Sequence, residues 1–372
     1  MKTQSCSAIA VTLGDPAGIG PEIIAKAFRD APDAMRGAFV AGDVGIVRGA
    51  ARALAEPGRP VLPVAEIESP ADVDALPPRC IPVLQVIRPP EAPIVPGRIS
   101  AVAGRIAGEC VTWAARAALA GEIAAIVTAP LHKEALAAAG YAFPGHTELL
   151  QSEAAAFLGR PVSEVPVRMM LANDELRTVL VSIHMSLRQA IEAVSVDAVL
   201  ETLRIAHRAL SALLGRVPRI GVAGLNPHAG EGGLFGTEER DVIVPAIEAA
   251  RAEGIDADGP HAPDTVFMRA RAKGSAAAGE FDAVIAMYHD QGLIPVKYLG
   301  VEKGVNVTLG LPLVRTSPDH GTAFDIAGSG RADASSLIEA ARMARSLAGV
   351  LRPAPGRSQG GLGPLGGQRH TK

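Results

Sequence analysis

Three apolar segments of the chain each end abruptly near a histidine. Val179-Leu-Val-Ser-Ile183 runs into His184, Ile220-Gly-Val-Ala-Gly-Leu225 runs into Asn226-Pro-His228-Ala-Gly-Glu231, and Asp282-Ala-Val-Ile-Ala-Met-Tyr288 runs into His289, Asp290 and Gln291, with Lys297 shortly after. An apolar run that stops at a polar residue is how a buried strand delivers a side chain to a cleft, since in an open α/β sheet ligands gather beyond the carboxyl ends of the strands. Neutral imidazoles suit zinc, cobalt, nickel or iron, while manganese and magnesium favour the added carboxylates that Asp264 and Asp290 offer. For any one of these histidines the competing reading is a hydrogen-bonded residue at a strand end. Three in the same context suggest one metal.

A second set of residues suits anions. Phe143-Pro-Gly-His146-Thr147-Glu148-Leu-Leu150 places His and Thr where a helix begins, so Thr147 reads as an N-cap and the free amides as a seat for phosphate or carboxylate, with His146 as a directed donor. Capping alone is the competing reading. The glycine-dense stretch Asn226 to Gly236 lets backbone approach a ligand closely, and Thr237-Glu-Glu239 reads as the helix start after it. Between Gly304 and Gly330 lie Asn306, Arg315, His320, Gly321, Thr322 and Asp325. Arg315 can make a two-pronged contact with phosphate or carboxylate, against which stands an ordinary surface arginine. The loop Gly14-Asp-Pro-Ala-Gly-Ile-Gly-Pro-Glu22 lacks the third glycine of GxGxxG and no Walker A sequence occurs, so a Rossmann domain is not indicated. Its glycines fit a tight turn before a helix equally well.

These residues need elements to hold them. Ala8 to Leu13 reads as a strand and Ile23 to Arg29 as a helix opened by Pro21. Residues 30–100 carry few decisive signals beyond a strand at Ala38 to Ala41. Ser100 to Ala120 has the Ala-rich periodicity of a long helix, and Ala124 to Thr128 reads as a buried strand entering Ala129-Pro-Leu-His-Lys-Glu134 and a further helix. The alternation continues to an Ala-rich helix after Ser335, which predicts an α/β fold with a mostly parallel, doubly wound sheet. Arg352 to Lys372 is Pro-, Gly- and polar-rich and is expected to be a disordered tail.

Composition narrows the partners. A chain of 372 residues with 48% hydrophobic but only 3% aromatic residues has a core of Ala, Val, Leu and Ile, as α/β enzymes do. A net charge of -3 and no basic run give no case for nucleic acid or an anionic membrane, so small molecules are the expected partners. No apolar run is long enough to span a bilayer, and the start breaks at Gly14-Asp15 too early for a signal peptide. Cys6, Cys80 and Cys110 are few, widely spaced and outside the motif-rich blocks, so a disulfide framework is not expected and the cytoplasm is the expected location.

Val11-Thr-Leu-Gly-Asp-Pro-Ala-Gly-Ile-Gly-Pro-Glu22, Thr128-Ala-Pro-Leu-His-Lys133, Gly145-His-Thr-Glu148, Asn226-Pro-His-Ala-Gly-Glu231, Asp264-Thr, Tyr288-His-Asp-Gln-Gly292 and Asp319-His-Gly-Thr-Ala323, in that order, resemble the 4-hydroxythreonine-4-phosphate dehydrogenase family of pyridoxal phosphate biosynthesis, from Val11 to about Asp333. The resemblance implies an isocitrate/isopropylmalate-dehydrogenase-like fold of two α/β/α domains around a cleft, residues 1–130 with 300–351 forming the first and 131–299 the second. It implies a homodimer with an active site shared between subunits, in which His184 comes from one subunit and His228 and His289 from the other to bind one divalent metal (Zn, Co, Mg or Mn). It also implies substrate contacts from His146, Thr147, Lys297, Asn306 and Arg315. Separately, His320 to Gly330 is similar to the adenosine-binding loop of the isocitrate and isopropylmalate dehydrogenases, which implies NAD or NADP held by His320, Gly321, Thr322 and Asp325 without a Rossmann motif. The implied reaction is oxidation of 4-phosphooxy-L-threonine at C3 followed by decarboxylation, with Lys297 or Asp290 accepting the proton. The chain departs from the family at His184-Met-Ser-Leu187 and in an insertion-like segment, Gln151 to Arg160. Those departures leave room for another four-carbon phosphorylated acid, such as threonate 4-phosphate. A phosphate acyltransferase is the competing class, but it needs no three-histidine metal site.

Overall fold

The computed structural model of the chain describes residues 7–55, 57–58, 60–77, 79–272 and 278–351. Cys6 and the expected tail from Arg352 lie outside the described residues. Cys80 and Cys110 are free and buried.

Strand and helix alternate as the hydrophobic pattern predicts. In chain order the elements are β1 (Ile9–Thr12), α1 (Gly20–Asp30), β2 (Ala38–Gly42), α2 (Val44–Ala53), β3 (Val64–Ile67), β4 (Ile81–Gln85), α3 (Ala101–Leu119), β5 (Ala125–Thr128), α4 (Lys133–Ala138) and α5 (His146–Leu158). There follow β6 (Arg168–Ala172), β7 (Arg177–Leu180), α6 (Leu187–Ala193), α7 (Val196–Leu214), β8 (Ile220–Ala223), α8 (Val244–Ala252), β9 (Ala257–His261), α9 (Val266–Ala270), β10 (Ala283–Ala286), α10 (His289–Tyr298), β11 (Val305–Leu309), β12 (Arg315–Pro318) and α11 (Ser335–Leu351).

Every residue of β1, β2, β5, β8 and β10 is buried. Strands covered on both faces need no polar alternation, which is why they read as unbroken apolar runs. In β1 the period-2 geometry still sorts the side chains: Ile9 and Val11 join one core cluster, Ala10 the cluster on the other face.

The strands form one sheet in the order β3-β4-β2-β1-β5-β12-β11-β6-β7-β10-β8-β9. Strands from residues 9–128 and 305–318 make up one half and strands from 168–286 the other, so the two groups expected from the sequence share a single continuous sheet. Pairing is parallel except at the three steps β12/β11, β11/β6 and β6/β7. Within each half the strands other than β11 and β6 therefore point the same way and bring their loops to a common edge: β1, β5 and β12 in the first half, β7, β10 and β8 in the second.

Two glycines set local spacing. Gly104 lets α3 lie against α4, because a Cβ there would stand 1.9 Å from the Ala135 carbonyl oxygen. Gly292 in α10 similarly admits the Leu180 side chain, which would be 2.4 Å from a Cβ. The first contact fixes the segment that carries His132 and Lys133, the second the helix that begins with His289.

Candidate active site

A cavity of about 280 Å³ opens at the ends of β5 and β12, lined by His146, Asn306, Arg315, Asp319, His320 and Gly321 among others. Arg315 is its charged centre. The side chain is 4% exposed and carries no carboxylate contact among its hydrogen bonds: Nε and Nη2 donate to Thr128 Oγ1 at 3.1 and 2.8 Å, and Nη1 donates to Thr308 Oγ1 at 3.0 Å. Burial pulls the guanidinium down to about 10, which leaves it charged at neutral pH. Its hydrogen bonds go only to hydroxyls and the Glu148 charge supports it through space, and a buried charge so held is costly unless an anion completes it. His146 faces the same cavity, and its Nε2 is covered without a protein partner. Burial, then the Arg315 charge, hold His146 well below its ordinary value, so the imidazole is neutral.

Helix α5 begins beside this pair, but not as the sequence suggested. Gly145 occupies the N-cap position with no side-chain cap, and Thr147 is the second helical residue rather than the cap. A capping hydroxyl would have satisfied one of the first amides; glycine leaves them to a ligand. The segment Gln151 to Arg160, which looked inserted, is mostly the body of this helix.

Lys297, in the last turn of α10, reaches the cavity wall: its Nζ stands 2.6 Å from Asp319 Oδ2. Asp290 faces elsewhere, its Oδ1 accepting from His289 Nδ1 at 2.7 Å. Of the two expected proton carriers, only Lys297 meets a cavity-lining residue.

The three histidines follow three adjacent parallel strands, β7, β8 and β10. The rings of His184 and His289 lie 5.7 Å apart, centre to centre, within one chain. Burial, then the charges of Lys133 and His289, lower His184 below its usual value, which favours the neutral form that metals bind. The His289–Asp290 bond leaves Nε2 of His289 free for a ligand. Side-chain ties hold the strand ends in line: Ser182 Oγ donates to the Met287 carbonyl at 2.9 Å, Gln291 Oε1 accepts from the Met287 amide at 2.7 Å, and Gln291 Nε2 donates to the Gly224 carbonyl at 2.8 Å.

His228 stands apart. It opens a turn in which six successive residues, His228 to Gly233, have positive φ. Buried Glu239 underlies this turn: its Oε1 accepts from the amides of Leu225 and Asn226 at 2.8 and 2.7 Å, and its Oε2 from Asn226 Nδ2 at 2.9 Å. Glu239 begins a π-helical turn, so the expected helix start at Thr237–Glu239 is present but irregular. Among the described residues no group of three or more His, Cys, Asp or Glu side chains is placed to hold a metal. Within one chain it is the His184 ring that lies beside His289. Asp264 is exposed.

In the cofactor-like loop, His320 Nδ1 meets the Gly321 carbonyl at 3.1 Å and its Nε2 is covered without a partner. Thr322 is buried and Asp325 exposed. Asp319, Thr128, Thr308 and Glu239 were missed from sequence. Asp319 was visible as the residue before His320; the threonines matter only through the pairing of β12 with β5 and β11.

Residues 34–344 match the family described as pyridoxal phosphate biosynthetic protein PdxA. The chain is 54% identical over 333 residues to 4-hydroxythreonine-4-phosphate dehydrogenase of Beijerinckia indica, covering 88% of this chain and 91% of that protein. It is 44% identical over 340 residues to D-threonate 4-phosphate dehydrogenase of Pectobacterium atrosepticum, covering 91% and 99%. The crystal structure of 4-hydroxythreonine-4-phosphate dehydrogenase from Klebsiella pneumoniae superposes with a TM-score of 0.79 at 42% identity, covering 92% of this chain and 99% of that one. With the motif blocks in order along the same fold, the chain belongs to the PdxA family, whose relatives named here are dehydrogenases.

Proposed function

We propose that this chain oxidises the C3 alcohol of 4-phosphooxy-L-threonine to a β-keto acid that loses carbon dioxide to give 3-amino-2-oxopropyl phosphate, a step in pyridoxal 5'-phosphate formation in the cytoplasm. The observation that carries the reading is the cavity built on Arg315: a buried guanidinium hydrogen-bonded to no carboxylate, beside a neutral His146 with an unfilled ring nitrogen. Its volume, about 280 Å³, falls just below the range of ligand pockets, which run from roughly 300 to 1,000 Å³, as suits a small acid. Arg315, His146, Thr147 and the α5 amides would bind the anionic ends of the substrate, and Asn306 would orient it. Lys297, paired with Asp319 at the wall, would relay the alcohol proton, passing one of its own to the Asp319 carboxylate as it takes one, with geometry favouring it over Asp290.

A divalent ion would polarise the alcohol and later the ketone, and NAD or NADP would accept the hydride. His184 and His289 fit the ion as a preplaced pair of imidazoles, and His228 is the third ligand the resemblance implies. His320, Gly321, Thr322 and Asp325 would hold the dinucleotide.

A homodimer that shares its sites is supported by the surface around the histidines. Met185, Leu187, Ile191, Leu234, Phe235, Met268, Ile294 and Tyr298 are all large, apolar and exposed, from 42% at Ile191 to 90% at Tyr298, and all lie on the loops and helices adjoining β7, β8 and β10. Clustered apolar exposure of this kind marks an interface. A second copy closing over this face would bring its His228 turn toward the His184–His289 pair.

D-Threonate 4-phosphate is the second substrate reading, favoured by relatives of that name at 44 to 45% identity over nine-tenths of the chain. The deciding experiment is absorbance of the reduced nicotinamide with each phosphorylated acid, NAD or NADP and a divalent metal. Turnover of 4-phosphooxy-L-threonine well above that of D-threonate 4-phosphate is expected; the reverse ranking would transfer the assignment, and no turnover with any four-carbon phosphorylated acid would end it.

A further inference from the structure

The loop from Gly14 to Glu22 fits neither a nucleotide fingerprint nor a simple tight turn. Its last residue, Glu22, lies in the first turn of α1 and is 6% exposed. Its carboxylate reaches the far end of the chain, where Oε2 accepts from the Gly330 amide at 3.2 Å and Oε1 from the Ala332 amide at 2.8 Å. One turn later in α1, Lys26 Nζ donates to the carbonyls of the same two residues at 2.7 and 2.5 Å, and it stands 3.2 Å from Glu22 Oε1. One ion pair thus holds all four backbone polar groups of Gly330 and Ala332.

The other end of that segment is held by the same loop. The Ile19 amide donates to the Thr322 carbonyl at 3.0 Å, and a Cβ on Gly18 would stand 2.9 Å from both that oxygen and Thr322 Cβ. The Gly97 amide donates to the Ala17 carbonyl at 2.7 Å while a Cβ on Gly97 would stand 2.9 Å from the Phe324 carbonyl oxygen. Residues 322–332 are therefore gripped at both ends by 17–26. Exposed glycine-rich backbone would otherwise sample many conformations, and charge-assisted hydrogen bonds are the strong kind.

We propose that Glu22 and Lys26 are positioning residues for the dinucleotide, fixing the His320–Gly330 loop in its receiving shape so that its ordering is not charged against binding. The inference rests on reading that loop as the cofactor seat. It gives the first glycine-rich motif a role in cofactor binding without contact to the cofactor's phosphates.

Three variants test it. Glu22→Gln keeps one acceptor and loses the charge, Lys26→Met removes both carbonyl contacts while keeping the aliphatic stem, and Lys26→Arg keeps a cation with several donors. Amide hydrogen exchange of residues 320–332 is measured without cofactor, and the KM for NAD and for the phosphorylated substrate are measured separately. The expected result is faster exchange in Glu22→Gln and Lys26→Met, a KM for NAD raised about ten-fold with the substrate KM unmoved, and substantial rescue in Lys26→Arg. Should Glu22→Gln fail to fold, Lys26→Met carries the test. Exchange and cofactor KM both at wild-type values would overturn the clamp, and so would a parallel rise in both KM values, which signals general loss of packing. If exchange accelerates but the wild-type chain reduces neither NAD nor NADP, the reading of the loop as a cofactor seat falls and the positioning role with it, while the clamp itself stands.

Discussion

Arg315 shows how much one side chain's surroundings decide. In the sequence it was an arginine in a stretch with few other charges; in the fold its fork is spread over two threonine hydroxyls and aimed at a cavity. Lysine would keep the charge and lose the planar fork. Arg315→Lys is expected to raise the KM for the phosphorylated substrate ten- to hundred-fold, consistent with about 1.5–3 kcal/mol for a hydrogen bond to a charged group, while the dissociation constant for NAD stays near wild type. An unchanged substrate KM would remove Arg315 from the anion site. His146 makes a separate prediction about pH. Its folded value lies well below the ordinary one, so as pH falls past about 6.5 the unfolded chain takes up a proton that the folded chain refuses. Stability should therefore drop with acidification by up to about 1.4 kcal/mol per pH unit from this group, beginning near its unfolded value, and not change above it. His146→Gln should flatten that slope in denaturant titrations between pH 6.5 and 5; an identical slope in both proteins would mean that other groups carry it. His146 and Arg315 were legible because their types announce anion chemistry. The two threonines were not, since an ordinary Thr gains its role only from which strand lies beside it.

At the scale of elements, the strands that deliver the histidines were legible because burial on both faces makes a parallel strand an unbroken apolar run. Much of residues 30–100 was not: β3 is a sheet edge with only Ile67 buried, and β4 is interrupted by Pro82, so neither carries the usual pattern. The Thr147 cap failed for a related reason, because Gly145 two residues earlier can adopt the cap position without a side-chain bond. The His228 turn was visible only as glycine density. Its six successive positive-φ residues include three with side chains, a conformation L-residues avoid, and such strain is retained where the surroundings over-determine it. Two glycines in it separate backbone strain from packing. Gly232 has open space at its missing Cβ, whereas a Cβ on Gly230 would stand 2.7 Å from Glu239 Oε2. Gly232→Ala is expected to lose about 1 kcal/mol, the backbone contribution alone. Gly230→Ala should lose about 2–3 kcal/mol, because it also displaces the buried carboxylate. Equal losses in chemical denaturation would mean that Glu239 does not support the turn.

The whole molecule adds what no single chain supplies. One continuous sheet was not legible in the sequence, because the antiparallel passage through β11 and β6 joins segments far apart in the chain. Nor was the meeting of the His184 and His289 rings, since sequence spacing cannot say which two rings meet. The proposed dimer makes the division measurable. His184 and His289 sit together in one chain, while His228 rides a turn flanked by exposed Leu234 and Phe235 on the face that a second copy would cover. If the metal takes the pair from one chain and His228 from its partner, chains lacking His228 and chains lacking His289 repair each other. His228→Ala and His289→Ala proteins, each inactive alone, should regain about a quarter of wild-type activity when unfolded and refolded together, because half of randomly formed dimers are mixed and each has one complete site. His184→Ala mixed with His289→Ala should stay inactive, since every pair is then broken. Sizing by light scattering confirms that dimers have formed in both mixtures. Recovery in the second mixture and not the first would return His184 to the opposite subunit; recovery in neither would place all three histidines in one chain or deny them a common metal.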